Sequence, residues 1–134
     1  MRLEPSALTL VHRGRVLEAR GAYELSIADF TSALETDPDF LAAHDELGRA
    51  LAKRGDLAKA LAAYDRALVV NPGHAPTHYN RAIILQALGD KPAAAAALTT
   101  ALRPDPALAR SLPKELTALL PPKSPARAGA PRSR

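Results

Sequence analysis

Apolar residues fall along this chain in short blocks with helical spacing, and the blocks themselves repeat. Leu10, Gly14 and Leu17 keep the three-to-four-residue step of one helix face, and Phe30, Ala33 and Leu34 do the same in the next block. The pattern predicts a first helix starting near Ser6, a plausible N-cap behind Pro5, and ending at Gly21. A second helix is predicted over residues 22–36, with Leu25, Ile27, Ala28, Phe30, Ala33 and Leu34 on its buried side. Asp37-Pro38-Asp39 then breaks the chain, and Asp39 is expected to cap the third helix.

The same arrangement returns every 34 residues. Gly21, Gly55 and Gly89 keep that step, as do Ala33, Ala67 and Ala101, Pro38, Pro72 and Pro106, and Phe30, Tyr64 and Leu98. A fixed period of this length marks an all-α repeat architecture in which each helix pair stacks on the next to bury its apolar face. Size repeats along with hydropathy. Gly14, Gly48 and Ala82 share one slot in the first helix of each pair, and Ala33, Ala67 and Ala101 share one in the second. Large side chains there would hold the helices apart.

The middle unit, residues 41–74, carries Leu47-Gly48, Leu51, Gly55, Ala60, Tyr64, Ala67 and Pro72. In this it resembles the tetratricopeptide repeat, a helix–turn–helix unit of about 34 residues. The first unit, 7–40, departs with Ser26 in an alanine slot. The third, 75–108, departs with Leu98 in the aromatic slot and Lys91 in a commonly apolar one. Leu10, His44 and His78 stand where the family usually has tryptophan. The resemblance spans residues 7–108 and implies a right-handed helical-repeat solenoid. It leaves a lead over 1–6, a capping helix over 109–120 built on Leu112, Leu116, Leu119 and Leu120 and restarting at Pro113, and a Pro-rich tail over 121–134 expected to be disordered.

Charge separates body from tail. Residues 1–108 hold 12 basic and 13 acidic side chains, whereas residues 109–134 hold 6 basic and 1 acidic. The tail is therefore the expected place for any weak contact with nucleic acid or another anionic partner. It lacks interleaved aromatics for base stacking. The sequence contains no cysteine, which excludes disulfides, thiolate zinc sites and a cysteine nucleophile and is compatible with a cytoplasmic setting. No apolar run approaches the length of a membrane span, and the first residues do not read as a signal peptide.

Catalytic and metal-binding patterns are sparse. His74 and His78 are four apart, but His74 falls in a turn and no third ligand accompanies them. Asp45 and Glu46 are adjacent and diverge by about 100° on a helix, a poor arrangement for a paired acid and base. No phosphate-binding glycine loop or nucleophile elbow occurs. The expectation is a protein that is not an enzyme, without cofactor or metal.

What the resemblance implies instead is a binding surface. In that family the first helices of the pairs line a concave groove. Carried over position by position, this gives His12, Arg15, Asp45, Glu46, Arg49, Tyr79, Asn80 and Ile83. Arg15 and Arg49 are equivalent positions one repeat apart, suited to grip a carboxylate on a peptide or protein partner, with Tyr79 and Ile83 adding an apolar contact. Replacing both arginines by alanine is then expected to weaken binding without altering the melt. The alternative is a solvated face in which these charges neutralise one another, the chain acting as a structural subunit that assembles through its repeat edge or convex face. The family's carboxylate clamp for acidic chaperone tails needs Lys and Asn, then Asn, then Lys and Arg. Val11, Arg15, Glu46, Pro76 and Asn80 stand there and do not match.

Overall fold

The computed structural model describes residues 3–121 of the chain. Six helices alternate along it in three antiparallel pairs: α1 (Ala7–Ala19) with α2 (Tyr23–Thr36), α3 (Leu41–Arg54) with α4 (Leu57–Val70), and α5 (Ala75–Ala87) with α6 (Lys91–Leu102). Each helix packs on its neighbours in sequence, and α3 also touches α1 and α5. The first helices of the pairs thus form one face of a helical-repeat solenoid, with no strand among the described residues.

Local chemistry sets the helix ends. Gly21, Gly55 and Gly89 adopt φ of 80°, 99° and 90°, the left-handed conformation that closes the first helix of each pair at little steric cost. Ser6 caps α1 by accepting from the Thr9 N–H at 3.1 Å, and Asp90 caps α6 by accepting from Ala93 at 3.2 Å. The turns between repeats also repeat. Asp37, Asn71 and Asp105 each accept, through a side-chain oxygen, the N–H two residues on, at 3.3, 3.2 and 3.2 Å. Asp39, expected as the cap of α3, plays no such part: the N-cap is Phe40, with no side-chain bond. Asp39 stands one residue before the N-cap position, inside the turn that Asp37 closes by accepting its N–H.

The core is narrow because the small residues let the helices approach. Phe30 and Tyr64 are buried against the Gly14 and Gly48 positions, and Leu98 is buried in the third pair, where Ala82 stands. The buried stripe of α2 is Ser26, Asp29, Phe30 and Ala33. Leu25 and Ala28, expected on that side, are exposed, because the stripe lies one residue round the helix from them. Ser26 is tolerated in an alanine slot because its hydroxyl donates to the Tyr23 carbonyl at 3.1 Å. His44 and His78 fill the slot filled by Leu10 in the first pair. Each Nε2–H donates to a turn carbonyl, that of Pro38 or Pro72, at 2.8 Å, tying the helix to the turn before it.

The segment after α6 is divided, and its last helical turn starts behind Pro113, where the restart was expected. A 3-10 turn covers Pro106–Ser111, Leu112 is extended, and a single α turn, α7, covers Lys114–Thr117. Pro113 is the cause, since the residue before a proline is driven out of the helical region. Leu112, Leu116 and Leu119 still pack on the third pair. They stand 34 residues beyond His78, Ala82 and Leu85, as the first helix of a fourth unit would. The expected tail, apart from Pro121, lies outside the described residues.

Candidate functional site: the groove of α1, α3 and α5

Arg15, Asp45, Glu46, Arg49 and Asn80 come together. With Leu41, Ala42, His74 and Pro76 they line a hollow of about 270 Å³ across α1, α3 and the start of α5. Helical spacing puts Asp45, Glu46 and Arg49 on one face of α3, and the 34-residue period lays Arg15 and Asn80 beside them.

The arginines are already engaged. Arg15 donates through Nε to Glu46 at 2.5 Å, and Arg49 reaches the other Glu46 oxygen at 2.5 Å. Arg49 also holds Glu18 at 3.1 Å, and Lys53 holds Glu18 at 2.7 Å. Glu46 and Glu18 have side chains only 9% and 3% exposed, while Arg15 and Arg49 remain 45% and 48% exposed. Two buried carboxylates therefore sit beneath a half-open layer of cations, joining the first repeat to the second. Burial alone would raise the Glu18 pKa, but the hydrogen bonds and charges of Arg49 and Lys53 outweigh it and hold it below the usual carboxylate range. The Glu18 hydrogen bond in turn raises the Arg49 pKa.

Glu18 escaped the sequence reading, although a signal was present. Arg15 to Glu46 and Glu18 to Arg49 span the same 31 residues with the signs reversed. Once one cross-repeat pair is placed, the other follows.

Asp45 belongs to a separate cluster. The buried Thr77 hydroxyl donates to Asp45 at 2.7 Å, and His74 Nδ1 lies 2.8 Å from the Thr77 oxygen and 3.5 Å from Asp45. Burial raises the Asp45 pKa, with Thr77 and His74 acting against the rise. The Thr77 proton points at Asp45 rather than at His74, and Thr77 is 0% exposed. The trio links α3 to α5 and does not offer a nucleophile to a substrate. The His74 and His78 rings serve different partners, Thr77 and the Pro72 carbonyl.

The remaining expected residues spread out. Tyr79 lines a mostly apolar hollow of about 350 Å³ against Leu108 and Leu112 of the C-terminal segment. Ile83 lines another of about 290 Å³ with Lys53 and Tyr64. The two border different hollows that meet at Asn80, and Tyr79 also packs toward the C-terminal segment. Asn80 borders all three hollows, and its amide has no hydrogen-bond partner among the described residues. His12 is exposed and lines none of them.

A helical-repeat solenoid of this period is matched by two tetratricopeptide repeat family models, one over residues 47–126 and one over residues 11–76. The chain belongs to the tetratricopeptide repeat family. No curated protein matches it by sequence. Among solved structures it is similar to the first TPR of Spaghetti (RPAP3) bound to HSP90 peptide SRMEEVD, with TM-score 0.75, 20% identity, and 84% of this chain and 86% of that one covered. It is also similar to YrrB, described as a TPR protein with an unusual peptide-binding site, with TM-score 0.72 and 24% identity. That match covers 81% of this chain and 59% of the YrrB chain. No helix among the described residues is long and apolar enough to cross a membrane.

Proposed function

We propose that the chain is a non-enzymatic adaptor or scaffold module of the cytoplasm that holds a peptide or protein partner in the groove of α1, α3 and α5. The observation that carries this reading is Asn80. A side-chain amide offers a donor and an acceptor together, matching the N–H and C=O of an extended backbone. This one stands uncommitted where three hollows meet. An acidic group on the partner meets the outer N–H groups of Arg15 and Arg49, and an apolar group beside it rests on Ile83. Two solved structures of similar fold are described with a bound peptide or a peptide-binding site, which supports the same reading.

Glu46 separates the ligand from an acidic chaperone tail of the kind bound by RPAP3. It occupies a position at which the clamp needs asparagine, and it adds a buried negative charge between the two arginines. The preferred partner therefore carries one acidic group, not a run of them.

The test is selection of peptides on the full chain from a displayed library, followed by calorimetric titration. Asn80→Ala is expected to weaken a selected peptide by about tenfold or more, with an unchanged melt, because the residue makes no intramolecular bond. Equal affinity for the variant ends the groove reading. The structural-subunit reading then takes over, favoured by Val69 and Leu25, which stand 81% and 61% exposed on the second helices of their pairs.

A further inference from the structure

The face of α3 turned away from the groove carries Leu47, Leu51 and Arg54, roughly half a turn from Asp45, Glu46 and Arg49. Here α2 and α4 both pack on α3, and a furrow of about 340 Å³ opens between them. Its floor is apolar, made by Ile27, Leu47, Leu51 and Ala63, of which Ile27 and Leu47 are only half-buried. Its rim is basic: Arg54, Lys59 and Arg66, with no acidic residue among the lining. Arg54 is neutralised by Asp56 at 2.5 Å, but Lys59 and Arg66 make no ion pair among the described residues.

The next furrow along the solenoid, between α4 and α6 over α5, provides an internal comparison. The residues 34 positions on from Leu47 and Thr31 are Arg81 and Asp65, and they pair with each other at 2.6 Å, joining α5 to α4. The residues 34 positions on from Lys59 and Arg66 are Ala93 and Thr100, both uncharged. At these positions the charges of the later furrow are paired and cancel. The furrow between α2 and α4, built on the same scaffold, is open, apolar at its base and positive at its edge.

We propose that the furrow between α2 and α4 is a second docking surface, for an acidic amphipathic helix of a partner protein. One bulky apolar side chain of that helix enters the furrow, and its carboxylates meet Lys59 and Arg66. The two cations are seven residues apart on α4, about two turns or 10 Å along its axis. Carboxylates seven residues apart on the partner helix reproduce that distance, with the apolar anchor midway between them. The surface lies on the opposite side of α3 from the groove, so the two sites can be occupied together.

The experiment uses the full chain, labelled with nitrogen-15. It is titrated with a synthetic helical peptide bearing two glutamates seven residues apart around a central leucine, and with its lysine counterpart. The acidic peptide is expected to shift the signals of Ile27, Leu47, Lys59 and Arg66, and to lose affinity as salt rises. The Lys59→Glu/Arg66→Glu variant should bind it about tenfold or more weakly while melting like the parent, since both side chains are exposed. Asn80→Ala should bind it at parental strength, which keeps this site distinguishable from the groove. The proposal is overturned by shifts at Asn80 and Ile83 in place of the furrow, by equal binding of the lysine peptide, by an undiminished double variant, or by no binding at millimolar peptide. It is equally overturned if the furrow signals broaden with protein concentration alone and sedimentation shows a dimer, since a second copy of the chain is then the occupant.

Discussion

The ring of Tyr64 occupies the space that a side chain at Gly48 would need: a Cβ there would stand 2.5 Å from Cε1. Gly14 and Phe30 repeat the relationship at the same distance. In the third unit both partners change together, to Ala82 and Leu98, and both are fully buried. The slot thus conserves combined volume across the pair rather than either residue. Gly48→Ala is expected to destabilise the chain by about 1–3 kcal/mol through overpacking. Adding Tyr64→Leu should recover part of that loss, whereas Tyr64→Leu alone should destabilise. Denaturant unfolding of the two single variants and the double checks this. Strictly additive effects would mean the ring and the glycine do not compete for space.

Arg49 does more for the fold than a groove arginine was expected to do. It neutralises both Glu46 and Glu18, two carboxylates with little access to water. Removing it takes one partner from each of them, leaving Glu46 with Arg15 and Glu18 with Lys53, and its own half-exposed position lets water recover part of the loss. Arg49→Ala should cost about 1–3 kcal/mol. Arg15→Ala, which leaves Glu46 its bond to Arg49, should cost less than 1 kcal/mol. Alanine at both arginines is accordingly not silent in the melt, which makes it a poor binding test and Asn80→Ala a better one. Equal costs for the two single variants would show that Glu18 is not held as described.

Much of this was legible in the sequence, and the residues show why. The 34-residue period places Gly21, Gly55 and Gly89 at their turns, because only the left-handed region closes those helices and glycine enters it freely. The same period brings Arg15 to Arg49. What period alone does not reveal is which charges meet across repeats, because side chains of that length choose among several neighbours. Glu18 went unnoticed for that reason, whereas the mutual neutralisation of Arg15, Glu46 and Arg49, weighed beside an open groove, is the arrangement their ion pairs take. The restart at Pro113 was legible too, but the leucine spacing did not show that a 3-10 turn precedes it and that the helix after it is a single turn.

The Glu18 pairing carries a pH signature. Its folded pKa lies below the unfolded value, so its contribution to stability is complete above the ordinary glutamate pKa of about 4.3 and is lost as pH falls through the lower, folded value. Asp45 acts in the opposite sense: its folded pKa is raised, so it favours the folded state more at low pH and less as pH rises. The melting temperature should therefore drop on acidification below about pH 4. Glu18→Gln should lower the neutral-pH melt and flatten that acid limb. A variant with the parental acid slope would remove Glu18 as its source.

Leu116 tests whether the divided C-terminal segment seals the last repeat. It is 4% exposed and packs with Leu85, Leu98 and Leu102, in the position that Ala82 holds one unit earlier. Gln86 anchors the same segment by donating to the Glu115 carbonyl at 2.9 Å, so side chain and backbone are both held on α5. Leu116→Ala should cost about 2–5 kcal/mol, the range for emptying a buried leucine site. The loss should be felt first at the open end of the solenoid, with amide exchange accelerating in α6 before α1 or α2. Leu108, which is 51% exposed and only borders the Tyr79 hollow, is the control, and its alanine variant should lie within about 0.5 kcal/mol of the parent. Comparable losses at the two positions, or exchange that quickens evenly along the chain, would show that the segment rests on the array without sealing it.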